Sequence, residues 1–246
     1  MTSAEDFDRW YADRVSSPVA DDLVQRLLGL PPDLQSTSLL SGQGLDEVVA
    51  LLALSPGEVL LDLACGRGGY GREIAQRTGC DLVGVDFSPV AIDQALSQGG
   101  DFRVGTLTAT GLDPATADAV LIVDAFQFAS PKLSCLRECL RVLRPGGRLA
   151  ITTWEALDPE DPRLPLRMRQ VDLTRQLPEA GFVDVEVTHK PDWWAIEDRF
   201  WRESLTVEAG DDLAVQSMQE EARRVLEGFT GRRRVLATAT KGSPPG

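Results

Sequence analysis

The stretch LLDLACGRGGYG, residues 60–71, decides the fold. Its apolar beginning is typical of a buried strand that runs to Asp62 and Leu63. The loop that follows contains four glycines: Gly66, Gly68, Gly69 and Gly71. Glycine lets the backbone turn tightly and approach a ligand closely. The stretch therefore predicts a strand, a ligand-facing loop and a helix in succession.

The chain after this loop alternates between apolar runs and amphipathic segments. The predicted strands are 58–63, 81–86, 102–105, 118–123 and 148–153, and the predicted helices between them are 70–78, 89–98 and 131–143. The run DAVLIV at 118–123 is apolar almost throughout, as expected of a strand buried on both faces. Strands that alternate with helices imply parallel strands joined by right-handed crossovers.

The pattern changes after Trp154, where a proline-rich acidic loop begins. The elements predicted beyond it are a helix at 167–180, a strand at 182–189, a helical insertion at about 192–228 and a last strand at 234–240. Two late strands around an insertion indicate an antiparallel pair at the sheet edge. Before the first strand, the apolar spacing predicts helices at 5–16, 19–30 and 45–54.

These elements predict an α/β fold with a Rossmann-like, doubly wound, seven-stranded and mostly parallel sheet that has an antiparallel edge strand. We expect an N-terminal helical lid over residues 1–44 and the main domain over 45–242, with the insertion between the last two strands and the whole forming a single structural unit. Ligands bind such sheets beyond the carboxyl ends of the strands, where the strand order reverses. The glycine loop lies at that point.

Composition argues against several classes of protein. The net charge of −13 opposes nucleic-acid binding, which needs basic surface. No apolar run of ~18 residues could span a membrane. The polar, acidic N-terminus differs from a secretory signal, so we expect a cytoplasmic protein with no membrane partner.

Cysteine and histidine usage predicts no metal site. The chain has four cysteines without a CxxC pair, and His189 is its single histidine. The one basic run, Arg232–Arg234, is interpreted as a solvated cluster, with contact to an anionic ligand as the alternative.

Two features together predict a nucleoside cofactor. The spacing Gly66-x-Gly68-x-x-Gly71 matches a loop that binds dinucleotides, although the match alone is weak. Asp86 ends the second strand, where a carboxylate can accept hydrogen bonds from ribose hydroxyls. The alternative for Asp86 is an acid that favours the start of the next helix. The residues leave open which nucleoside cofactor binds.

Four segments in order resemble a known family. They are VLLDLACGRGGYG, LVGVDFSPVAI, ADAVLIVDAFQF and LRECLRVLRPGGRLAITTW. They are similar to the successive motifs of class I S-adenosylmethionine-dependent methyltransferases, and the resemblance covers about residues 45–155. The late strand pair resembles the antiparallel pair of that family, and the N-terminal helices resemble the lid of its small-molecule members.

The resemblance implies how S-adenosyl-L-methionine is bound, with S-adenosyl-L-homocysteine as product. The residues to which it assigns cofactor contacts are Tyr11, Asp62, Ala64, Gly66, Gly68, Asp86, Phe87, Thr106, Leu107 and Asp124. Asp62 and the loop would face the methionine part, Asp86 the ribose and Phe87 the adenine. Many members have Gly-Asp where this chain has Gly105-Thr106. The uncharged hydroxyl of Thr106 would therefore accept the hydrogen bond from the adenine amino group. Tyr11 resembles the lid tyrosine, with core packing as its alternative.

The acceptor side is expected to be aromatic. The residues predicted to line it are Phe126, Gln127, Phe128, Trp154, Trp193 and Trp194, and the tryptophans of the insertion could instead pack it onto the sheet. His189 and Asp124 are the candidate catalytic residues, with His189 as general base. Glu155 is a rival base, and alignment of the reactants without any base is a further possibility.

We therefore expect a methyltransferase that acts on a small molecule, in specialised metabolism, by in-line transfer to an oxygen, nitrogen or carbon atom. An indole or a polyketide ring is the first acceptor to consider. The alternatives are a nicotinamide-dinucleotide-dependent oxidoreductase and a cyclase that binds the cofactor without transferring its methyl group. A monomer or a homodimer is expected.

Overall fold

A computed structural model describes residues 17–36 and 38–243. The helices are α1 (Pro18–Leu28), α2 (Gly42–Leu52), α3 (Gly69–Thr78), α4 (Pro89–Leu96), α5 (Lys132–Val142), α6 (Leu166–Arg169), α7 (Leu173–Ala180), α8 (Pro191–Ser204) and α9 (Leu213–Glu227). The strands are β1 (Val59–Leu63), β2 (Asp81–Asp86), β3 (Asp101–Val104), β4 (Ala117–Val123), β5 (Leu143–Ala156), β6 (Phe182–His189) and β7 (Arg232–Lys241). The helix predicted at 5–16, with Tyr11, lies outside the described residues.

The strands form one sheet in the order β3-β2-β1-β4-β5-β7-β6. β1 pairs in parallel with β2 and β4, and β5 continues the parallel set beside β4. β7 runs antiparallel to both of its neighbours, β5 and β6. The predicted seven-stranded, mostly parallel, doubly wound sheet with an antiparallel pair at its edge is confirmed. The strand order reverses between β1 and β4, where the sequence places the ligand site.

Each face of the sheet carries its own hydrophobic core. Leu60, Leu121 and Ala150 belong to the core on one face, together with the insertion and the N-terminal helices. Leu61, Val120 and Ile122 belong to the core on the other face, against α5 and α7. Because side chains alternate along a strand, a strand covered on both faces must be apolar at nearly every position. This explains the continuous apolar run of β4.

Local sequence signals set the helix ends. The Ser88 side chain accepts a hydrogen bond from the Ala91 N–H, and Pro89 occupies the first turn of α4. Gly79 ends α3 in the left-handed conformation, with φ of 74°. Asp212 caps the second helix of the insertion by accepting from the Ala214 and Val215 N–H groups.

The helix predicted at 167–180 is two helices in the structure, α6 and α7. Asp172 caps α7 by accepting from the Arg175 N–H, so the chain leaves the helical conformation before that residue and starts again after it. β5 is also longer than the predicted strand at 148–153, because its pairing with β7 extends as far as Ala156 and Arg232.

The N-terminal helix α1 packs against both helices of the insertion. Ser17 Oγ donates to Asp212 Oδ2 at 2.7 Å, and Arg199 Nη2 donates to the Leu27 carbonyl at 3.1 Å. The boundary at residue 44 falls inside α2, which packs closely against the insertion: a Cβ on Gly44 would lie 3.0 Å from the Trp193 ring.

Glycines in and around β2 make room for one aromatic ring. Phe102 of β3 lies so close to β2 that a Cβ on Gly84 would stand 2.2 Å from its Cδ1 atom. A Cβ on Gly68 would stand 2.6 Å from the same ring, and the Arg72 guanidinium covers it at 4.5 Å from the centroid. Because Gly68 and Gly84 have no side chain, the Phe102 ring can fill the space beneath the glycine loop.

We expect Gly84→Ala to lower the free energy of unfolding by ~1–3 kcal/mol, because the added methyl group overpacks this site. Chemical denaturation measures the change. Gly242→Ala is the control, since its added Cβ would meet Val183 only at 3.8 Å. The double variant Gly84→Ala/Phe102→Leu should lose less free energy of unfolding than the sum of the losses of the two single variants. Strict additivity of the two effects would contradict this packing.

Candidate active site

A cavity of about 920 Å³ opens at the carboxyl ends of the parallel strands. It lies at the upper end of the volumes of ~300–1,000 Å³ typical of small-molecule sites. Strand-end residues line it: Leu63 of β1, Asp86 of β2, Val123 of β4 and Trp154 of β5. Val24 of α1 and both insertion helices complete its wall. The cavity therefore stands where the sequence predicts the ligand.

The loop after β1 turns back on itself through left-handed residues. Ala64, Gly66 and Gly68 have φ values of 64°, 53° and 79°. The Ala64 N–H donates to the Val85 carbonyl at 2.7 Å, which ties the loop to the end of β2. Ala64 lines the cavity, whereas Gly66 and Gly68 shape the loop without being part of its lining.

Asp86 joins the glycine loop to the start of α4. Its Oδ2 accepts from the Gly66 N–H at 2.8 Å and its Oδ1 from the Ser88 N–H at 2.9 Å. The side chain is buried, yet it forms part of the cavity wall. The backbone bonds fix the orientation of the carboxylate, a group that accepts hydrogen bonds from hydroxyl donors.

Asp62 lies buried beneath the glycine loop. Its Oδ2 accepts from the Gly71 N–H at 3.1 Å, and a Cβ on Gly71 would come within 2.7 Å of the same oxygen. Burial raises the pKa of Asp62 to about 7 against the opposing effect of the Gly71 bond, and the charge of Asp86 raises it further. A cationic group nearby would favour the ionised carboxylate.

A tight turn after β3 supplies another part of the wall. The Thr106 N–H donates to the Ala109 carbonyl at 2.9 Å, and the Ala109 N–H returns a bond of 3.2 Å. Thr106 and Leu107 line the cavity, as does Phe87 after β2. The predicted adenine-binding and ribose-binding residues thus stand together along one side of the cavity.

Asp124 follows β4 in the left-handed conformation, with φ of 57°. Its Oδ1 accepts from Thr152 Oγ1 at 2.7 Å, and its Oδ2 accepts from the Leu39 N–H at 2.8 Å and from Arg234 Nη2 at 2.9 Å. Arg234 is fully buried. Asp124 lines the cavity, but both of its oxygens already have structural partners, which argues against Asp124 as the base.

Only part of the segment Phe126–Phe128 faces the cavity. Gln127 and Phe128 line it, and Gln127 is held by its bond from Thr153 Oγ1 at 2.8 Å. Phe126 is fully buried in the core on the other face of the sheet, near Lys132. The structure therefore corrects the placement of Phe126, because the short 3-10 turn directs successive side chains to different sides.

Glu197 of α8 organises the aromatic part of the cavity. This fully buried carboxylate accepts from Trp154 Nε1 at 2.7 Å and from Trp201 Nε1 at 3.1 Å, and it forms an ion pair with Arg232. Arg234 Nε lies 3.9 Å away. Buried carboxylates are stable only when paired and hydrogen-bonded in this way. Phe200 and Met168 also line this chamber.

The interpretation of Arg232–Arg234 as a solvated cluster is wrong. Arg232 and Arg234 are 7% and 0% exposed. Alternate residues of a strand share a face, and both arginines lie over the Trp154 ring, at 5.3 and 4.1 Å from its centroid. The run is buried because β7 lies between β5 and β6, so the insertion covers it. Arg233 faces the other way and pairs with Glu155.

His189 does not line the cavity. It lies in a separate cleft of about 300 Å³, which includes Trp194 and Arg233. The reason is topological: β6 is the outermost strand, and β7 with its arginines separates the end of β6 from the cavity. The expectation that His189 faces the acceptor therefore differs from the structure, and Glu155 is occupied by Arg233 and the Leu173 N–H.

Trp193 and Trp194 pack the insertion instead of lining the cavity. Trp193 is buried against Gly44 of α2, and the Trp194 ring lies 4.5 Å from that of Phe229. This is the packing alternative that the sequence left open. Trp154 lines the cavity as predicted, and Trp201 joins it.

Sequence reasoning missed Glu197, Thr152 and the arginines of the cavity wall. A carboxylate one helical turn before Trp201, in an otherwise amphipathic helix, is the signal that could have marked Glu197. Thr152 carries no such signal, because threonine is common in strands.

Residues 17–36 and 38–243 contain neither a cluster of metal-ligating side chains nor a membrane-spanning helix. No group of three or more His, Cys, Asp or Glu side chains there could hold a metal ion. No helix in residues 17–36 or 38–243 has the length and apolar character that a membrane crossing requires.

Residues 61–151 match the family described as a methyltransferase domain. Sterol 24-C-methyltransferase of Saccharomyces cerevisiae is 31% identical over 140 residues, which cover 52% of this chain and 37% of that protein. The 2-methyl-6-phytyl-1,4-hydroquinone methyltransferase of Synechocystis sp. is 29% identical over 165 residues, or 65% of this chain and 48% of that protein. The chain thus spans less than half the length of these relatives.

Solved structures share the fold across nearly the whole chain. Phosphoethanolamine N-methyltransferase 2 of Haemonchus contortus, in complex with S-adenosyl-L-methionine, superposes with a TM-score of 0.75 at 20% identity, covering 99% of this chain and 61% of that one. The cyclase SpnF superposes with a TM-score of 0.70 at 21% identity, covering 91% of this chain and 93% of that one. At such identities the likeness shows the fold alone.

Residues 61–151 therefore carry a methyltransferase domain, on a fold that solved methyltransferases share. The class predicted from the four motifs is therefore confirmed. The structures of phosphoethanolamine N-methyltransferase 2 of Haemonchus contortus hold S-adenosyl-L-methionine or S-adenosyl-L-homocysteine, in agreement with the predicted cofactor.

We expect Arg234→Met to lower the free energy of unfolding by ~3–5 kcal/mol, because it leaves the buried carboxylates of Asp124 and Glu197 without their shared cation. Arg202→Met is the control: its guanidinium is 66% exposed and pairs with Asp198 on the surface, so a loss below ~1 kcal/mol is expected. Equal losses for the two variants would contradict a structural role for the buried ion pair.

Asp62 should make stability depend on pH. The unfolded carboxyl titrates near ~3.9, so between pH ~4 and ~7 the folded protein holds a proton that the unfolded chain has lost. The stability that this group contributes is fully present below the unfolded pKa and is lost as the pH rises to about 7.

Asp62→Asn should therefore become more stable relative to wild type between pH 5 and pH 8, by up to ~3 kcal/mol at ~1.4 kcal/mol per pKa unit. Urea denaturation at each pH measures the difference. Asp93→Asn, an exposed control, should follow wild type at every pH. Parallel curves for wild type and Asp62→Asn would show that Asp62 titrates normally.

Proposed function

We propose that this protein transfers the methyl group of S-adenosyl-L-methionine to a small molecule with an aromatic ring system. The observation that carries the proposal is one continuous cavity. It joins the loops that follow β1, β2 and β3 to a chamber walled by Trp154, Phe200 and Trp201. A cofactor site and an aromatic acceptor site in one cavity are what methyl transfer between two bound molecules requires.

The sheet end of the cavity fits a nucleoside with a cationic amino-acid tail. The oriented carboxylate of Asp86 suits ribose hydroxyls, and the turn at Thr106 and Leu107 offers polar and backbone groups to a base. The raised pKa of Asp62, to about 7, suits a site in which a bound ammonium group compensates the buried carboxylate. The left-handed conformation of Ala64 keeps the backbone close to the ligand.

The chain's own contribution is to align the acceptor and to exclude water. S-adenosyl-L-methionine supplies a methyl group that is already activated by a sulfonium centre. Segment 38–39 crosses the end of β4, held by the Leu39 N–H bond to Asp124 and by Ser38 Oγ donating to the Val123 carbonyl at 3.3 Å. The bond from Ser17 to Asp212 fastens α1 to the insertion above the cavity.

No protein base is needed in this proposal. The oxygens of Asp124 are occupied by Thr152, Leu39 and Arg234, and those of Glu197 by Trp154, Trp201 and Arg232. His189 lies in the separate cleft. We therefore propose transfer by alignment, with the acceptor proton released to water, and we expect His189→Ala to keep wild-type turnover.

A cyclase that binds the cofactor without transferring its methyl group is the second candidate. The shared fold of SpnF supports it, although only as a fold. A nicotinamide-dependent oxidoreductase has no support from the family match. The net charge of −13 supports an acceptor other than nucleic acid. A cytoplasmic location, a role in specialised metabolism and a monomeric or homodimeric state stay predictions.

Cofactor titration and product mass test the proposal together. S-adenosyl-L-homocysteine should bind to the wild-type protein. Asp86→Asn should weaken this binding by ~1–3 kcal/mol, because charged hydrogen bonds are lost. Asp81→Asn is the matched control, because Asp81 is exposed at the opposite end of the same strand. Calorimetry measures both, with unfolding followed separately in the absence of ligand.

Incubation with S-adenosyl-L-methionine and a panel of indoles and phenolic polyketides should give a product heavier by one CH₂ unit, with one equivalent of S-adenosyl-L-homocysteine. A product isomeric with its substrate would favour the cyclase. Binding of NAD(H) in place of S-adenosyl-L-homocysteine would overturn the proposal.

A further inference from the structure

Arginines line the acceptor part of the cavity, and they differ in how they are paired. Arg163 pairs with Asp161 at 2.7 Å, and Arg232 pairs with Glu197. Arg167 of α6 and Arg224 of α9 line the same cavity. Neither forms an ion pair with a carboxylate in residues 17–36 or 38–243. Neither is paired as Arg163 and Arg232 are, although the carboxylates of Glu221 and Glu227 line the same cavity.

Arg167 stands half-buried against an aromatic ring. Its Cζ atom lies 5.0 Å from the centroid of Phe128, which follows the end of β4 and also lines the cavity. Its Nε is buried and has no hydrogen-bond partner in the described part of the chain. A guanidinium packed on a ring keeps its donors aligned in one plane.

Arg224 brings a second positive charge to the same wall. Burial lowers the pKa of Arg167, the charge of Glu221 opposes this shift, and the neighbouring Arg224 adds a smaller lowering. The one side-chain hydrogen bond of Arg224 to the described residues runs from Nε to the Glu220 carbonyl at 3.3 Å. Two guanidiniums close enough to affect one another repel, and a buried donor without a partner costs free energy.

We infer that Arg167 and Arg224 bind an anionic group of the acceptor, either a carboxylate or a phosphate ester. A planar guanidinium fork matches both groups through paired hydrogen bonds, and the bound anion would give the buried Arg167 Nε an acceptor. Trp154, Phe200 and Trp201 supply the surface for a ring, so the acceptor class is an aromatic acid or an aryl phosphate. This inference rests on the proposed function, because it specifies the acceptor of that reaction.

The test measures binding to the protein saturated with S-adenosyl-L-homocysteine. The probes are benzoate, phenyl phosphate and benzamide, the last being a neutral isostere of benzoate. Calorimetry should show at least one anion binding about tenfold or more tightly than benzamide. The anion that binds more tightly identifies the acceptor as a carboxylate or a phosphate ester.

Arg167→Gln should weaken binding of the preferred anion about tenfold and leave the affinity for benzamide unchanged. Arg167→Lys should cause an intermediate loss of anion affinity. Arg224→Gln, an exposed position where folding is not at risk, should weaken the same anion. Arg223→Gln is the matched control, since Arg223 is exposed on the same helix and does not line the cavity. Arg223→Gln removes the same charge and should bind the anion as tightly as the wild-type protein does.

Three outcomes would overturn the inference: no preference of the wild type for either anion over benzamide, anion binding unchanged in Arg167→Gln and Arg224→Gln, or an equal loss in Arg223→Gln. Each would leave the proposed function standing as long as S-adenosyl-L-homocysteine binds. Failure of S-adenosyl-L-homocysteine itself to bind would count against the proposed function instead, so the two failures are separate.

Discussion

The buried ion pair between Asp124 and Arg234 is the interaction on which the rest of the site depends. It joins the end of β4 to the start of β7, at 2.8 Å between Arg234 Nη1 and Asp124 Oδ1, and both side chains are almost completely enclosed. Removing two charges from water is costly, so such a pair persists only when its other lone pairs and donors are satisfied. Thr152 and Leu39 complete the hydrogen bonds of Asp124, and Glu197 places a second carboxylate 3.9 Å from Arg234 Nε, so three further segments meet at this point.

Two kinds of polar group meet in the cavity and obey different constraints. Near the glycine loop, Asp62 and Asp86 receive backbone N–H bonds that fix their positions, and Asp86 lines the cavity. Near the insertion, Glu197 receives indole and guanidinium donors and leaves little capacity. The first arrangement is suited to binding, and the second to holding aromatic walls in place. This contrast also explains why a chain with a single histidine can be suited to methyl transfer, since alignment replaces proton transfer.

Much of the fold could be predicted because it rests on local signals. The apolar run of β4, the Ser88–Pro89 helix start and the glycines after β1 each have one physical explanation, and the residues next to the cofactor loops follow from chain order. The acceptor chamber could not be predicted in the same way, because it depends on pairing between distant segments. The position of His189 in the sequence does not reveal that it lies in another cleft, and that of Arg234 does not reveal that it is buried. Both facts depend on the place of β7 in the sheet.

The position of β7 beside β6 determines how easily the segment between these two strands can change in evolution. The segment 190–231 leaves the sheet after β6 and re-enters it at β7, and His189 is the direct partner of Val235 in that ladder. Its two ends are therefore neighbours, so a replacement of different length would close its loop at little extra entropic cost. The segment supplies Glu197, Trp201 and Arg224 but none of the glycine loop. A replacement that keeps a carboxylate at the place of Glu197, which faces Arg232 and Arg234, could therefore change the acceptor preference and leave the glycine loop as it is.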